Sequence, residues 1–416
     1  MTDLEQGASE RSGAPARRRL RRAGTPLVVV SACVASVQMS WSLVVPVLPA
    51  YATQFGLGPA ELGLVVGIFG VGRLLVNIPA GMLADRVDRR WLLLWSVLAV
   101  VVAQALTGLA TGYGTLLATR LVTGIAGGVA ITTGMSLLAD VTTTASRGRD
   151  MATLQAFQLA GGSLGPVVGG LLAVPFGPRV PFFVSGMASV VVAVWAGRVL
   201  RGVTPGPAGP GDGPVRGRVR WFTRDVAGVC VLGSAVFFHR FGGLQSLVPL
   251  IAYGALGIGV AQMGLVLGGI TLSTVLVVRL AGGLSDRWGR KRVIVPAMAV
   301  AGVGAAALAF SDSVAVFLVA TLVTGVAAGF GGGAPAAYLA DVAAPAVRGR
   351  SVGVYRTFGD VGTILGPVAL GVAAEAWGYS AAALVLAGVV LASTAVFAAL
   401  SRESSGPRRA PVFGAA

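Results

Sequence analysis

Seven ionisable side chains lie inside long apolar runs of this chain: Arg73, Arg120, His239, Arg240, Arg279, Arg356 and Asp360. A charge in hydrocarbon costs on the order of 2.5–3.5 kcal/mol on insertion scales, so each is a functional-site hypothesis by default. Asp360 is the single carboxylate of the set and the leading candidate for carrying a proton. Burial disfavours its charged form and a neighbouring arginine favours it, so a structural change that exchanges the two would load and unload it. Arg356 precedes Asp360 by one helical turn, which puts both on one face and equally allows a static pair. His239 titrates near neutrality when unperturbed and is a second proton-coupling candidate; the alternative is a hydrogen-bonded pocket residue. Arg279 lies seven residues before Asp286 and can extend to the surface. Arg73, Arg240 and Arg356, with Gln38, Trp41, Asn77, Gln155 and Gln158, are candidates for lining a cavity, although packing serves equally for Trp41. Five embedded arginines against one aspartate make such a cavity electropositive, and neutral or anionic ligands are expected over strongly cationic ones.

The elements that must position these residues follow from composition. Of 416 residues, 55% are hydrophobic and 12% charged, whereas soluble domains carry about 25% charged residues. Twelve apolar runs of about 20 residues, the length that crosses a ~30 Å hydrocarbon core, lie between positions 26 and 400. In lipid each run must satisfy its own backbone, which requires helices, and the runs are too long for barrel strands. The expected fold is an all-α polytopic membrane protein of twelve transmembrane helices. The first run is longer than the apolar core of a signal peptide and reads as an uncleaved helix.

The net charge of +16 does not form a nucleic-acid face. Of the 32 lysines and arginines, 26 fall in the two tails, the central segment and the loops after the even-numbered runs. The opposite loops carry one base, Arg179, beside Glu61, Asp312 and Glu375. The positive-inside rule therefore places both termini in the cytoplasm of a multi-pass plasma (inner) membrane protein. No nucleic-acid partner is expected.

An internal repeat divides the chain. At a shift of 201 residues Gly81-Met82-Leu83-Ala84-Asp85-Arg86 falls on Gly282-Gly283-Leu284-Ser285-Asp286-Arg287, and Leu138-Ala139-Asp140-Val141 on Leu339-Ala340-Asp341-Val342. Gly165-Pro166 falls likewise on Gly366-Pro367. The expected organisation is a tail (1–25), a six-helix bundle (26–200), a Pro/Gly/Arg-rich linker (201–224), a second six-helix bundle (225–400) and a tail (401–416). Two pseudo-symmetric bundles of this kind place a ligand site near the midplane between them. Every embedded charge is unique to one half: Arg120 falls on Thr321, Arg73 on Thr274, Arg240 on Met39 and Asp360 on Leu159.

The loop after the second run (Gly81, Leu83, Asp85, Arg86, Arg89, Arg90) and that after the eighth (Gly282, Leu284, Asp286, Arg287, Gly289, Arg290, Lys291) resemble the G-x-L-x-D-R-x-G-R-[RK] signature of the major facilitator superfamily. The resemblance covers essentially the whole chain. In the first copy Asp88 stands where the second glycine belongs, which puts the local turn in question. The resemblance implies a cytoplasmic gate formed by Asp85, Arg86, Arg89, Asp286, Arg287 and Arg290. Charge clusters that merely set topology are the alternative. Gly161, Gly165, Pro166, Gly169 and Gly170 match G-x-x-x-G-P-x-x-G-G, similar to the antiporter signature of drug:proton exporters, or equally a small-residue packing seam. Arg120 in Arg120-Leu121-Val122-Thr123-Gly124 is similar to the family's R-x-x-q-G motif, whose arginine the resemblance links to proton coupling.

The expected function is proton-coupled efflux of small organic molecules by alternating access, carried out by a monomer. An uptake symporter for a sugar or organic acid, and a non-transporting membrane sensor or assembly protein, are the alternatives. Neither a nucleophile–base set nor a metal-ligand cluster can be assembled from two isolated cysteines (Cys33, Cys230) and one histidine, so no enzyme, metal or cofactor is expected.

Overall fold

The computed structural model describes residues 6–142, 146–201, 222–332, 334–343 and 348–404. The helices are α1 (Gln6–Thr53), α2 (Pro59–Arg86), α3 (Arg89–Gly108), α4 (Tyr113–Val141), α5 (Arg147–Phe176) and α6 (Val180–Leu200). The second half repeats them as α7 (Arg224–Gly254), α8 (Val260–Trp288), α9 (Arg290–Phe310) and α10 (Val314–Val342). One continuous run, Arg348–Leu400, bends at Gly378 (φ 85°) into α11 (348–377) and α12 (379–400). A left-handed φ of this size is open to glycine at little cost, and it ends one crossing and begins the next. The result is twelve crossings in an all-α membrane fold, as the sequence predicts. Residues 202–221 of the linker, and those before 6 and after 404 in the tails, lie outside the described residues, and α1 begins at Gln6, within the expected first tail.

Short connections fix the packing. At the end of the molecule where the chain enters and leaves, here the tail end, Asp225 at the start of α7 accepts hydrogen bonds from the Tyr338 hydroxyl (2.9 Å) and the Arg402 amide (2.7 Å). At the far end the Tyr51 hydroxyl caps the carbonyls at the close of α3, with Thr107 O at 3.0 Å. One buried cluster fills the first half around Val34, Leu93, Val97 and Leu137, and a larger one fills the second half around Val229, Met263, Met298 and Leu386 and reaches into the first through Trp41, Val45 and Phe69. A third cluster at the far end joins the halves through Tyr51, Val65, Phe182 and Leu250.

The two signature loops turn differently. Gly289 adopts φ 100°, whereas Asp88 sits at φ −60° and caps α3, its side chain accepting from the Arg90 amide at 2.9 Å. Hydrogen bonds from the Arg90 side chain hold the Asp88 carboxyl below the usual carboxylate range. The missing glycine is thus replaced by a different local solution, an N-cap, which satisfies a free backbone N–H.

Candidate functional site

Two seams join the halves, α2 against α11 and α5 against α8. A Cβ added at Gly63 would strike the Pro367 carbonyl, and one at Gly264 the Pro166 carbonyl. One at Gly371 would meet the Pro59 carbonyl, and one at Gly170 the Val260 carbonyl. The tight contact runs from the far end to midspan, ending near Gly70 on α2 and Gly268 on α8. Beyond it, toward the tail end, Gly81, Gly282, Gly283 and Gly353 have open space where a Cβ would stand. The halves are closed at the far end and separated at the tail end.

Asp360 lies where the α2/α11 seam ends. Its Oδ1 is 3.3 Å from Arg73 Nη2, and its Oδ2 accepts a short hydrogen bond from Asn77 Nδ2. Arg73 and Asn77 are one turn apart on α2, so one face of that helix supplies both partners. Asp360 is 2% exposed and is the one buried carboxylate among the described residues. The intrahelical pair with Arg356 that the spacing allows does not form. Arg356 is exposed and its Nη2 approaches Met135 Sδ on α4 at 3.8 Å. Asp360 has two partners from the other half of the molecule, and these satisfy both oxygens.

Beside this cluster a cavity of about 390 Å³ opens among α1, α5, α7, α8 and α10. Gln38, Trp41, Gln155 and Arg240 line it, together with Pro166. Gln158 is not among the lining residues, and Arg73, Asn77 and Arg356 lie on the α2/α11 side instead. The sequence reading missed Gln245, Thr271 and Thr274, which also line it. Gln245 is a polar residue in an apolar run, a signal of the kind that singled out Gln38 and Gln155. Trp41 packs between Phe69 of α2 (ring centroids 5.2 Å) and Phe241 of α7 (5.0 Å).

The middle of α7, Phe238–Leu247, is π-helical. Such segments are rare, short and frequent at functional sites. Here the widened turn fits a close contact: a Cβ at Gly242 would stand against the Gly366 backbone of α11. It also separates two neighbours. Arg240 faces the cavity, and His239 turns into the second bundle, fully buried. The Thr324 hydroxyl donates to the Ala301 carbonyl at 2.7 Å and therefore accepts from His239 Nε2 at 3.0 Å. His239 occupies a hydrogen-bonded pocket away from Asp360.

Arg120 is 2% exposed. Its guanidinium stands over the Phe69 ring, 5.6 Å from the centroid, and its Nε and Nη1 have no hydrogen-bond partner among the described residues. Phe69 links it to Trp41 and so to the cavity wall.

The glycine motif of α5 splits between two neighbours. Gly161, Gly165 and Gly169 pack on α1 at Ala35, Ser42 and Leu43, within one half. Pro166 and Gly170 face α8 across the seam. In α11 Gly362 and Gly366 pack on α7 at Ser234 and Phe238, and Pro367 and Gly371 on α2. The arrangement is that of a packing seam used twice.

The signature charges also pair within halves. Arg89 Nη1 meets Asp140 Oδ2 of α4 at 2.5 Å. Arg290 Nε meets Asp341 Oδ2 of α10 at 3.1 Å, and its Nη1 meets Asp286 Oδ1 at 2.8 Å. Arg86 and Arg287 are exposed. The side chain of Asp85 lies outside the described residues, as does that of Arg279.

Comparisons with known proteins agree with this architecture. The arabinose-proton symporter of Bacillus subtilis is 33% identical over 133 residues, 32% of this chain and 26% of that protein. The quinolone resistance protein NorA of Staphylococcus aureus is 22% identical over 152 residues, 36% of this chain and 39% of that protein. The chain thus matches well under half the length of either relative. Among solved structures, a bacterial homolog to the human lysosomal transporter Spinster, inward-facing and occupied, superposes with a TM-score of 0.76. It has 16% identity and covers 90% of this chain and 94% of that one. The nucleoside transporter NupG gives a TM-score of 0.73 at 14% identity, over 91% of this chain and 100% of that one. The sequence model described as Major Facilitator Superfamily matches residues 30–254 and 230–415. With twelve crossings, two repeated bundles and a midspan cavity between them, this chain belongs to the major facilitator superfamily.

Proposed function

We propose that this transporter is a proton-coupled exporter of small organic molecules, with both termini cytoplasmic, and that Asp360 carries the proton. The observation that carries the reading is the contact of Asp360 with Arg73 and Asn77 across the α2/α11 seam. A charged carboxylate holds both partners and joins the halves at midspan. A proton removes the attraction to Arg73, and α2 and α11 are then free to re-pack. The conformation described here is open toward the cytoplasm on this orientation. A rocking of the bundles exposes the cavity to the other side, and the duplicated glycine seams supply the smooth surfaces along which they move. His239 and Arg120 remain secondary candidates for coupling. Arg120 has the stronger claim because its Nε and Nη1 find no partner among the described residues and its guanidinium reaches the cavity wall through Phe69.

The test is flux in proteoliposomes under an imposed pH gradient, across a small-molecule panel. Wild-type protein should move at least one compound against its gradient when protons run the other way, and Asp360→Asn should leave only gradient-independent exchange. Retention of pH-driven transport by both Asp360→Asn and His239→Gln removes the coupling assignment. The alternative is a proton symporter for a sugar or organic acid, favoured by the match to the arabinose-proton symporter. It predicts co-directional movement of substrate and protons in the same assay.

A further inference from the structure

We infer that the cavity takes amphipathic organic monoanions, with Arg240 as the receptor for a carboxylate and the aromatic wall as the receptor for the apolar body. This deepens the transport reading and rests on the cavity being the substrate site. Arg240 is the one charged side chain among the lining residues. Its guanidinium lies over the ring of its neighbour Phe241, 6.0 Å from the centroid, and no carboxylate within ion-pair distance is found for it among the described residues. Asp360, the one buried carboxylate among the described residues, is held by Arg73 and Asn77. An arginine in a membrane-embedded cavity without a counter-ion costs free energy that a bound anion recovers, and its planar fork suits a carboxylate.

The remaining polar groups agree in sign. The hydroxyls of Thr271 and Thr274 donate to the Leu267 and Ile270 carbonyls of their own helix, at 2.9 Å each. The donors left for a ligand are therefore the guanidinium of Arg240, the amides of Gln38, Gln155 and Gln245, and the Trp41 indole N–H, which has no partner among the described residues. The π-helical segment matters to this set. In an α-helix residues 240 and 245 would stand about 140° apart; the i→i+5 repeat brings Gln245 round to the Arg240 face. Both line the cavity, and the Gln245 side chain offers its NH2 group as the donor there. Trp41, Phe237, Leu159 and Ile270 contribute apolar surface to the same lining. A second negative charge on the ligand would find no second cation in the lining, and a cation would face Arg240 directly.

Three probes of one scaffold test this: dansyl-glycine (anion), dansylamide (neutral) and N-(2-aminoethyl)dansylamide (cation), titrated by fluorescence into the purified full chain in nanodiscs. Dansyl-glycine should bind at least tenfold more tightly than the cation. Arg240→Gln should lose about ten- to a hundredfold in affinity for dansyl-glycine and change dansylamide binding by less than twofold, which also shows that the variant is folded. Arg240→Lys, with the charge but without the fork, should fall between. Absence of saturable dansyl-glycine binding, equal or tighter binding of the cation, or wild-type affinity in Arg240→Gln each overturns the proposal. If Arg240→Gln does not fold, the wild-type anion-to-cation ratio and the Arg240→Lys titration decide by the same criteria. The two readings fail separately. Gradient-driven flux without an anion preference leaves the exporter and removes the monoanion site. Arg240-dependent anion binding without gradient-driven flux does the reverse.

Discussion

Where α5 meets α8, Gly264 lies against the Pro166 carbonyl and Gly170 against that of Val260; where α2 meets α11, Gly63 lies against Pro367 and Gly371 against Pro59. These are the same contacts, displaced by 201 residues. What stands at the midspan end of each seam is not the same. The α2/α11 seam ends in Arg73, Asn77 and Asp360, an ion pair whose carboxylate is buried, with an amide beside it. The positions equivalent to these are Thr274, Val278 and Leu159, and all three line the cavity. One seam closes on a charged contact, and the other opens into the chamber. A duplicated backbone thus carries two chemistries, and the difference lies in three side chains.

The comparison is broken most sharply by removing the carboxylate. Asp360→Ala strands Arg73 in the seam, and breaking a buried pair on one side costs about 3–5 kcal/mol. Leu159→Ala, at the equivalent place beside open space, should cost about 1 kcal/mol. Thermal unfolding of both variants in one detergent measures the gap, and equal losses would mean that the charged seam is not special. The double variant Arg73→Met/Asp360→Leu should recover most of the stability while pH-driven transport stays absent.

Next come the contacts the seams share. Gly63→Val and Gly264→Val place a side chain against backbone, for about 1–3 kcal/mol of strain each. Both should disfavour closure at the far end to a similar extent, read as reduced cross-linking between cysteines placed at positions 60 and 375, which are joined by the Ala60 amide and Glu375. A strongly unequal effect would show that the seams are not mechanically equivalent.

A transplant sharpens the same point. Thr274→Arg with Leu159→Asp should be more stable than the two single variants predict, by a coupling energy of about 0.5–3 kcal/mol in a double-mutant cycle. Additive losses would show that seam geometry, and not residue type alone, restricts the ion pair to α2/α11.

The smallest effects belong to the signature loops. Arg89→Ala and Arg290→Ala each remove an equivalent pair, with Asp140 and Asp341, and should cost about 1 kcal/mol in thermal unfolding. Asp88→Gly, which restores the glycine of the second copy, should cost only about 0.3 kcal/mol. Because Arg90 lowers the Asp88 pKa, this contribution is present above the ordinary carboxylate range and lost as pH falls through the lowered value. A pH-independent difference between Asp88→Gly and wild type would remove that account.

Much of this was legible in the sequence because it depends on properties that lipid imposes on any chain. Apolar runs of spanning length must be helices, and the repeat aligns the halves without reference to contacts. Asp360 stands out by being the sole embedded carboxylate. The cavity residues Gln38, Trp41, Gln155 and Arg240 were legible for the same reason, as polar or amphipathic groups in runs that otherwise exclude them. Gln158 reads identically in sequence and yet falls outside the lining, since a helix of small residues offers no periodic signal for which face is wet. The partner of Asp360 was illegible. Arg356 is nearer in sequence, but the choice between it and Arg73 depends on how closely α2 approaches α11, and that is set by backbone contact at Gly63, Gly67 and Gly371.

The sequence by itself determined twelve crossings, two repeated halves and a short set of charges that hydrocarbon does not tolerate without reason. Tertiary structure decided which charges meet. It paired Asp360 with α2, sent His239 to Thr324 and left Arg240 facing the cavity through a π-helical turn. Hydropathy and spacing act along one chain, whereas pairing depends on interhelical distances of a few ångströms that only packing fixes.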